Sequence, residues 1–365
     1  MQINHSTLTT PLSADDNPII GHYPQPGQIY DVPTFNSYWG AINTMMQDDQ
    51  IIASLELRKS RALAKPTKWV GDDNAIALIK SVLSNLTFTQ DQMDGLSMLE
   101  LGFNPCEIQW AKSGSEFYVE SIEKRSPEKF RIGQRGQLLF SDKNFGFNPV
   151  PDKKVMLFTR NATREAPYGE SVLKGCYPHW AAKWEADAQL TRLGQKYSIP
   201  SFIARTNTDD DGELARIGAA LARIENGNGI AVSGVEEIII LTVTGKLEEL
   251  IKAIDKKDKA ISKVISGQTL AQGESQYGTQ ALGKVHENTL EAYAIQDLKL
   301  LLNRFNRTLF RWILELNGLG HLNAKLLFDD EAYKESQKAQ SSKSEPLHLS
   351  NPGTGFNDPS LNLYL

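Results

Sequence analysis

KLEELIKAIDKKDKAISKVI, residues 246–265, carries two periodicities at once. Leu247, Leu250, Ile251, Ile254, Ile261 and Ile265 recur at three- and four-residue spacing, which predicts an amphipathic helix with one apolar face. Lys252, Lys256, Lys259 and Lys263 lie four, three and four residues apart and so stack along one side of that helix. The polar stretch Ser266–Thr279, with three glycines and several glutamines, reads as a loop. Beyond it no Gly or Pro interrupts Lys284–Asn317, and the pattern predicts a helix over Gln280–Leu316 that ends at Gly318. At about 1.5 Å per residue it would be roughly 55 Å long, against a mean of about 11–12 residues for globular helices.

The 365 residues are enough for two or three domains and a sizeable core. The net charge of −5, from 39 basic and 44 acidic residues, excludes a generally basic nucleic-acid-binding domain, so nucleic-acid contact must be local or weak. Cys106 and Cys176 lack metal or redox spacing. No run of about 18 apolar residues appears, so no membrane span is expected. The first ten residues lack the positive start and apolar core of a secretion signal. Together these features fit a soluble intracellular or virion protein.

Met1–Pro33 is polar and proline-punctuated, an extended arm expected to be ordered by a neighbouring subunit. Thr34–Ala64 keeps helical spacing, Lys65–Gly71 is short and extended, and Ala75–Leu86 and Thr89–Leu101 are further helices. Cys106–Ala111, Glu116–Lys124, Glu128–Ile132, Gln137–Phe140 and Lys154–Thr159 predict one small antiparallel sheet. Tyr168–Tyr197 returns to helix and stops before Pro200. A small α/β module follows: strands Ser201–Thr206, Ile230–Val232 and Glu236–Val243 around a helix at Glu213–Glu225. After Gly318 come an apolar piece at Lys325–Phe328, a polar helical stretch at Glu331–Glu345 and an extended tail.

Catalytic signatures are largely missing. There is no phosphate loop, no H-E-x-x-H and no G-x-S-x-G elbow, and the six histidines are scattered, so no cofactor or metal site is expected. Asp209, Asp210 and Asp211 could hold a metal as nucleases do. The plainer reading is a solvated loop whose last aspartate caps the helix at Glu213. The lysine row likewise has a plain reading, a solvated face laced by Glu248–Lys252 and Asp255–Lys259 pairs. Repeated around a ring axis, the same row would instead make stacked positive rings that hold DNA phosphates loosely and without sequence preference.

Three segments carry a resemblance. Pro167-Tyr168-Gly169-Glu170-Ser171-Val172-Leu173 is followed by Lys183 in a helix and by Lys196-Tyr197-Ser198-Ile199-Pro200. Ile261–Leu270 contains Gly267-Gln268-Thr269-Leu270, and a polar loop and His286 near the start of a long helix come after it. Asp48–Arg61 is a helix that ends in Arg after an early acidic residue. In this order they resemble the portal proteins of tailed bacteriophages, most closely the branch of phage Mu and its relatives, over roughly Thr34–Gly318.

The resemblance implies an α+β portal fold: a mixed α/β wing, a two-helix stem, a small α/β clip and a long spine helix, assembled as a ring. Characteristically twelve subunits sit at one capsid vertex, and double-stranded viral DNA passes through during packaging and ejection. The large terminase docks first and neck or adaptor proteins replace it; the major capsid protein surrounds the ring, no membrane is involved, and assembly takes place in the host cytoplasm. Mapped on this chain, residues 1–33 are the arm, 34–167 the wing, 168–200 the first stem helix and 201–245 the clip. Residues 246–265 are the second stem helix, 266–279 the tunnel loop, 280–318 the spine helix and 319–365 a tail with a reduced or absent crown. Lys252, Lys256, Lys259 and Lys263 would line the DNA channel. Gln268, Gln272, Ser275, Gln276 and Tyr277 would belong to the tunnel loop. Asp209, Asp210, Asp211, Arg216 and Arg223 would face the terminase or an adaptor. The competing readings are another virion ring or adaptor protein and a metal-dependent nucleic-acid enzyme.

Overall fold

The computed structural model describes residues 8–9, 38–84, 86–133, 136–141, 146–198, 201–225, 235–241, 247–267 and 280–343. It divides into two compact units, residues 1–328 and 329–365.

The first unit opens with helices α1 (Tyr38–Met45) and α2 (Asp49–Leu63). The helical stretch expected over Thr34–Ala64 is divided into two helices because Asp48 adopts an extended backbone and its carboxylate accepts from the Gln50 and Ile51 N–H groups. That N-cap satisfies two donors a helix start leaves open, so a new helix begins there. Strand β1 (Thr67–Gly71) and helices α3 (Asp73–Leu83), α4 (Phe88–Gly95) and α5 (Met98–Leu101) follow.

The expected single sheet is two sheets. Strands β2 (Phe103–Ser113), β3 (Glu116–Lys124) and β7 (Val155–Thr159) form one, in order β3-β2-β7. Strands β4 (Phe130–Ile132), β5 (Leu138–Ser141) and β6 (Phe147–Pro149) form the other. The central strand is buried from Phe103 through Trp110 on both faces, which strict alternation could not provide. Phe130, Phe140, Phe103 and Val155 share one apolar cluster between the sheets. β6 was not legible because Phe147-Asn148-Pro149 has no alternating pattern.

Helix α6 (Leu173–Ser198) leads into strand β8 (Ser201–Arg205), helix α7 (Asp211–Glu225) and strand β9 (Glu237–Leu241), and helix α8 (Leu247–Ser266) returns. β8 and β9 pair antiparallel, Ser201 opposite Leu241. The expected strand Ile230–Val232 lies outside the described residues. Helix α9 (Gln280–Arg307) and helix α10 (Leu309–Leu316) replace the one long helix expected. The break is at Thr308, whose hydroxyl donates back to the Arg304 carbonyl at 2.7 Å and whose ψ is −89°. Such back-bonding competes with the helical ladder and bends it. Strand β10 (Ala324–Phe328) then pairs antiparallel with β1.

Of the N-terminal arm, Leu8 is fully buried, and its carbonyl accepts from the Lys154 ammonium at 2.6 Å. This contact is made within the chain, so at Leu8 no neighbouring subunit is needed. The second unit contains helix α11 (Asp330–Lys343), near the expected Glu331–Glu345, with the Asp329 carboxylate accepting from Ala332 N at 3.3 Å.

Candidate functional site

Helices α6 and α8 form a hairpin. The β8–β9 pairing brings the end of α6 to the start of α8, and a Cβ on Gly175, near the start of α6, would lie 3.1 Å from the Val264 side chain near the end of α8. Ile261 and Ile265 are buried against Leu173, Cys176 and Trp180, in a core shared with Ile51 and Leu55 of α2. At about 100° per residue, the four lysines fall on the side of α8 opposite these isoleucines.

Three sets of contacts fix this hairpin to the rest of the first unit. The first is a charged hub. Lys183 of α6 reaches Asp258 of α8 at 2.7 Å, Asp48 at 2.9 Å and Asp49 at 3.2 Å. Burial pulls the Lys183 ammonium down, but its hydrogen bonds to Asp258 and Asp48 outweigh this and leave it above its ordinary range. Burial also raises the Asp258 carboxyl against the opposing pull of Lys183.

The second is Arg58 of α2. It donates to both carboxylate oxygens of Asp297 on α9, at 2.6 and 3.1 Å, and to the Ile265 carbonyl at 2.6 Å. One guanidinium thereby joins α2 and α9 and caps the C-terminal end of α8, where carbonyls lack helical donors. It also lies 4.7 Å from the centre of the Tyr293 ring.

The third is Pro167–Leu173. Gly169 has φ +66°, and a Cβ there would lie 2.4 Å from the Arg160 carbonyl and 2.6 Å from that of Gly102. The Ser171 hydroxyl donates to the Glu100 carbonyl and accepts from Leu173 N at 2.9 Å, opening α6. Val172 N donates to the Leu99 carbonyl, and the Tyr168 hydroxyl accepts from Ile132 N. These contacts explain why α6 begins at Leu173 and not at the expected Tyr168.

Lys252, Lys256, Lys259 and Lys263 are all exposed. Lys252 pairs with Glu248 at 3.4 Å, whereas the expected Asp255–Lys259 pair does not form. Gln268, Gln272, Ser275, Gln276 and Tyr277 lie outside the described residues. Asp209, Asp210 and Asp211 are exposed; the capping carboxylate is that of Asp210, which accepts from Glu213 N at 3.1 Å, while Asp211 is the first residue of α7. Arg216 pairs with Glu213 at 3.3 Å and Arg223 is exposed in the last turn. Among the described residues no group of three or more His, Cys, Asp or Glu is placed to hold a metal, and no helix is long and apolar enough to cross a membrane.

Sequence reasoning named Lys183 and Asp48 only as parts of a resemblance, and it missed Asp297 and Arg160. An Asp pair at a helix start was the one local signal; the partners lie too far along the chain for spacing to reveal them.

The family model described as the portal protein of Mu bacteriophage matches residues 40–347. Among solved structures, the fold is similar to a chain in the virion of a native gene transfer agent particle, at 11% identity and TM-score 0.55, covering 86% of this chain and 91% of that one. It is also similar to a chain in the neck of an empty particle of that kind, solved with C6 symmetry, at 12% identity and TM-score 0.54, covering 87% and 93%. An HK97-family phage portal protein from Corynebacterium diphtheriae matches at 12% identity and TM-score 0.49, covering 82% and 97%. No curated protein matches in sequence.

Proposed function

The chain belongs to the portal protein family of Mu bacteriophage, and on that premise we propose that it forms a homo-oligomeric ring at one capsid vertex, of about twelve copies, through which double-stranded DNA enters and leaves. The α6–α8 hairpin acts as the stem, residues 201–245 as the clip, and 266–279 as the tunnel loop. The observation that carries the channel reading is the lysine row: four exposed cations on the side of α8 turned away from its buried isoleucines. Lys256, Lys259 and Lys263 have no ion-pair partner among the described residues, so they are available to phosphates. Flanking Glu248, Glu249 and Asp255 keep the field modest, which suits passage better than capture. One solved relative in fold is a neck computed with C12 symmetry, which supports the ring.

At the other end of the hairpin, Ile203, Leu214 and Ile238 are exposed, as is Arg216. Exposed apolar and charged side chains in this segment suit docking of the terminase and later of an adaptor. The role is structural: the Asp210 carboxylate caps α7, which leaves a metal-dependent reaction at Asp209–Asp211 without support.

Electron microscopy of the purified protein, with its mass in solution, tests the ring. A closed ring with a hole wide enough for duplex DNA is expected; a monomer at every concentration, and also in the presence of capsid or scaffold, would refute it. Changing Lys252, Lys256, Lys259 and Lys263 together to Gln is expected to leave rings intact and to change DNA packaging or retention. Unchanged packaging and retention would return the row to a solvated face.

A further inference from the structure

A cavity of about 140 Å³ lies where α2, the end of α8 and α9 meet the loop after β7, lined by Arg58, Arg160, Asn161, Tyr293, Gln296 and Asp297 among others. Its charges do not balance. Arg58 is neutralised by the two-point contact with Asp297. Arg160 has no carboxylate partner among the described residues: its guanidinium donates to the Glu170 carbonyl at 3.1 Å, while the Glu170 carboxylate is taken by Lys174 at 3.0 Å. Arg160, Asn161, Tyr293 and Gln296, with Val264 and Leu300 as the apolar part of the wall, therefore line a recess with one uncompensated positive charge. Burial, and then the like charge of Arg58, holds the Arg160 guanidinium below its ordinary range. A partly buried guanidinium in this state gains most from a planar oxyanion that accepts two parallel hydrogen bonds.

We propose that this cavity receives a side-chain carboxylate from a second copy of this chain. The volume, close to the roughly 150 Å³ that accommodates a benzene ring, accommodates a carboxylate on its short stem. One negative charge balances Arg160 where a phosphate dianion would overshoot. The chain also carries more acidic than basic residues, 44 against 39, so a second copy has carboxylates to offer. The source of the carboxylate rests on the ring reading; the anion site itself does not.

The test compares wild type, Arg160→Gln and Arg160→Lys. Gln retains a donor for the Glu170 carbonyl, and Lys retains charge without the guanidinium fork. In rings, Arg160→Gln is expected to weaken the subunit interface at least about tenfold, for the two charge-assisted hydrogen bonds lost, with Lys restoring part of it. Rings of Arg160→Gln as stable as wild type would overturn the neighbour's carboxylate. In protein diluted to monomers, acetate replacing chloride at constant ionic strength is expected to raise Tm in wild type and not in Arg160→Gln. A Tm indifferent to acetate in wild type would overturn the anion site. If wild type responds to acetate yet never forms rings, the ring reading and the neighbour's carboxylate both fall, and a free anion is the ligand.

Discussion

Gly169 shows how a single residue holds the first unit together. Its φ of +66° and its approach to two carbonyls leave no room for a Cβ. Gly169→Ala is expected to cost at least about 1–2 kcal/mol from backbone strain alone, with further loss from displacing the Arg160 and Gly102 carbonyls; urea denaturation measures it. Asp91, in the first turn of α4, shows a different residue-scale effect. Its Oδ2 is buried with no hydrogen-bond partner among the described residues, and burial, helped by the nearby Asp94 charge, pushes its carboxyl up to about 6. A raised folded pKa means the associated stability is fully present below the ordinary carboxylate range and is lost as pH rises through about 6. Asp91→Asn is therefore expected to match wild type near pH 4. Above pH 6 it should exceed wild type by up to about 3 kcal/mol, as read from denaturation curves at several pH values. An equal difference at every pH would assign the effect to packing instead.

The charged hub and the edge clamp act between elements. Lys183→Met would strand Asp48 and Asp258 without their cation. Losing one partner of a fully buried pair costs roughly 3–5 kcal/mol. Asp258 is 27% exposed, so about 2–3 kcal/mol is expected here. Because the Lys183 ammonium is held above its ordinary range, this contribution persists below the ordinary lysine pKa and fades only as pH rises beyond it. The difference between wild type and Lys183→Met should thus survive at pH 10. On α9, the Asn306 amide donates to the Leu326 carbonyl at 2.9 Å and its oxygen accepts from Leu326 N at 2.8 Å, closing the outer edge of β10. Asn306→Ala is expected to cost about 2 kcal/mol for two hydrogen bonds and to speed amide exchange in β10 and β1 before the rest of the first unit.

For the whole molecule, the row of four lysines predicts a salt-dependent interaction. Binding of short duplex DNA by the assembled ring should weaken steeply with salt and show no sequence preference. The four-Gln variant should flatten that salt slope, whereas a slope unchanged by the substitution would place the contact elsewhere. A single chain carrying one such row, tempered by three neighbouring acids, is expected to bind duplex DNA weakly, because non-specific affinity rises with the number of phosphates neutralised at once.

The sequence by itself determined what is locally encoded. The helix over residues 246–265, with Ile261 and Ile265 buried but Ile251 of the expected apolar face exposed, the α/β insertion between two long helices, most of the strands and the Pro167–Leu173 element reappear, because helical and strand periods and turn chemistry act over a few residues. Only the tertiary structure decided which charges meet. Arg58 and Asp297 are 239 residues apart, Lys183 and Asp49 are 134 apart, and β1 pairs with a strand beyond residue 320. Buried charges must find partners or remain out of the core, and that constraint is met in three dimensions, where sequence spacing carries no information. The same reason accounts for the unbalanced Arg160, set by how elements pack after their local pattern is satisfied, whereas the break at Thr308 accompanies a local back-bond to Arg304.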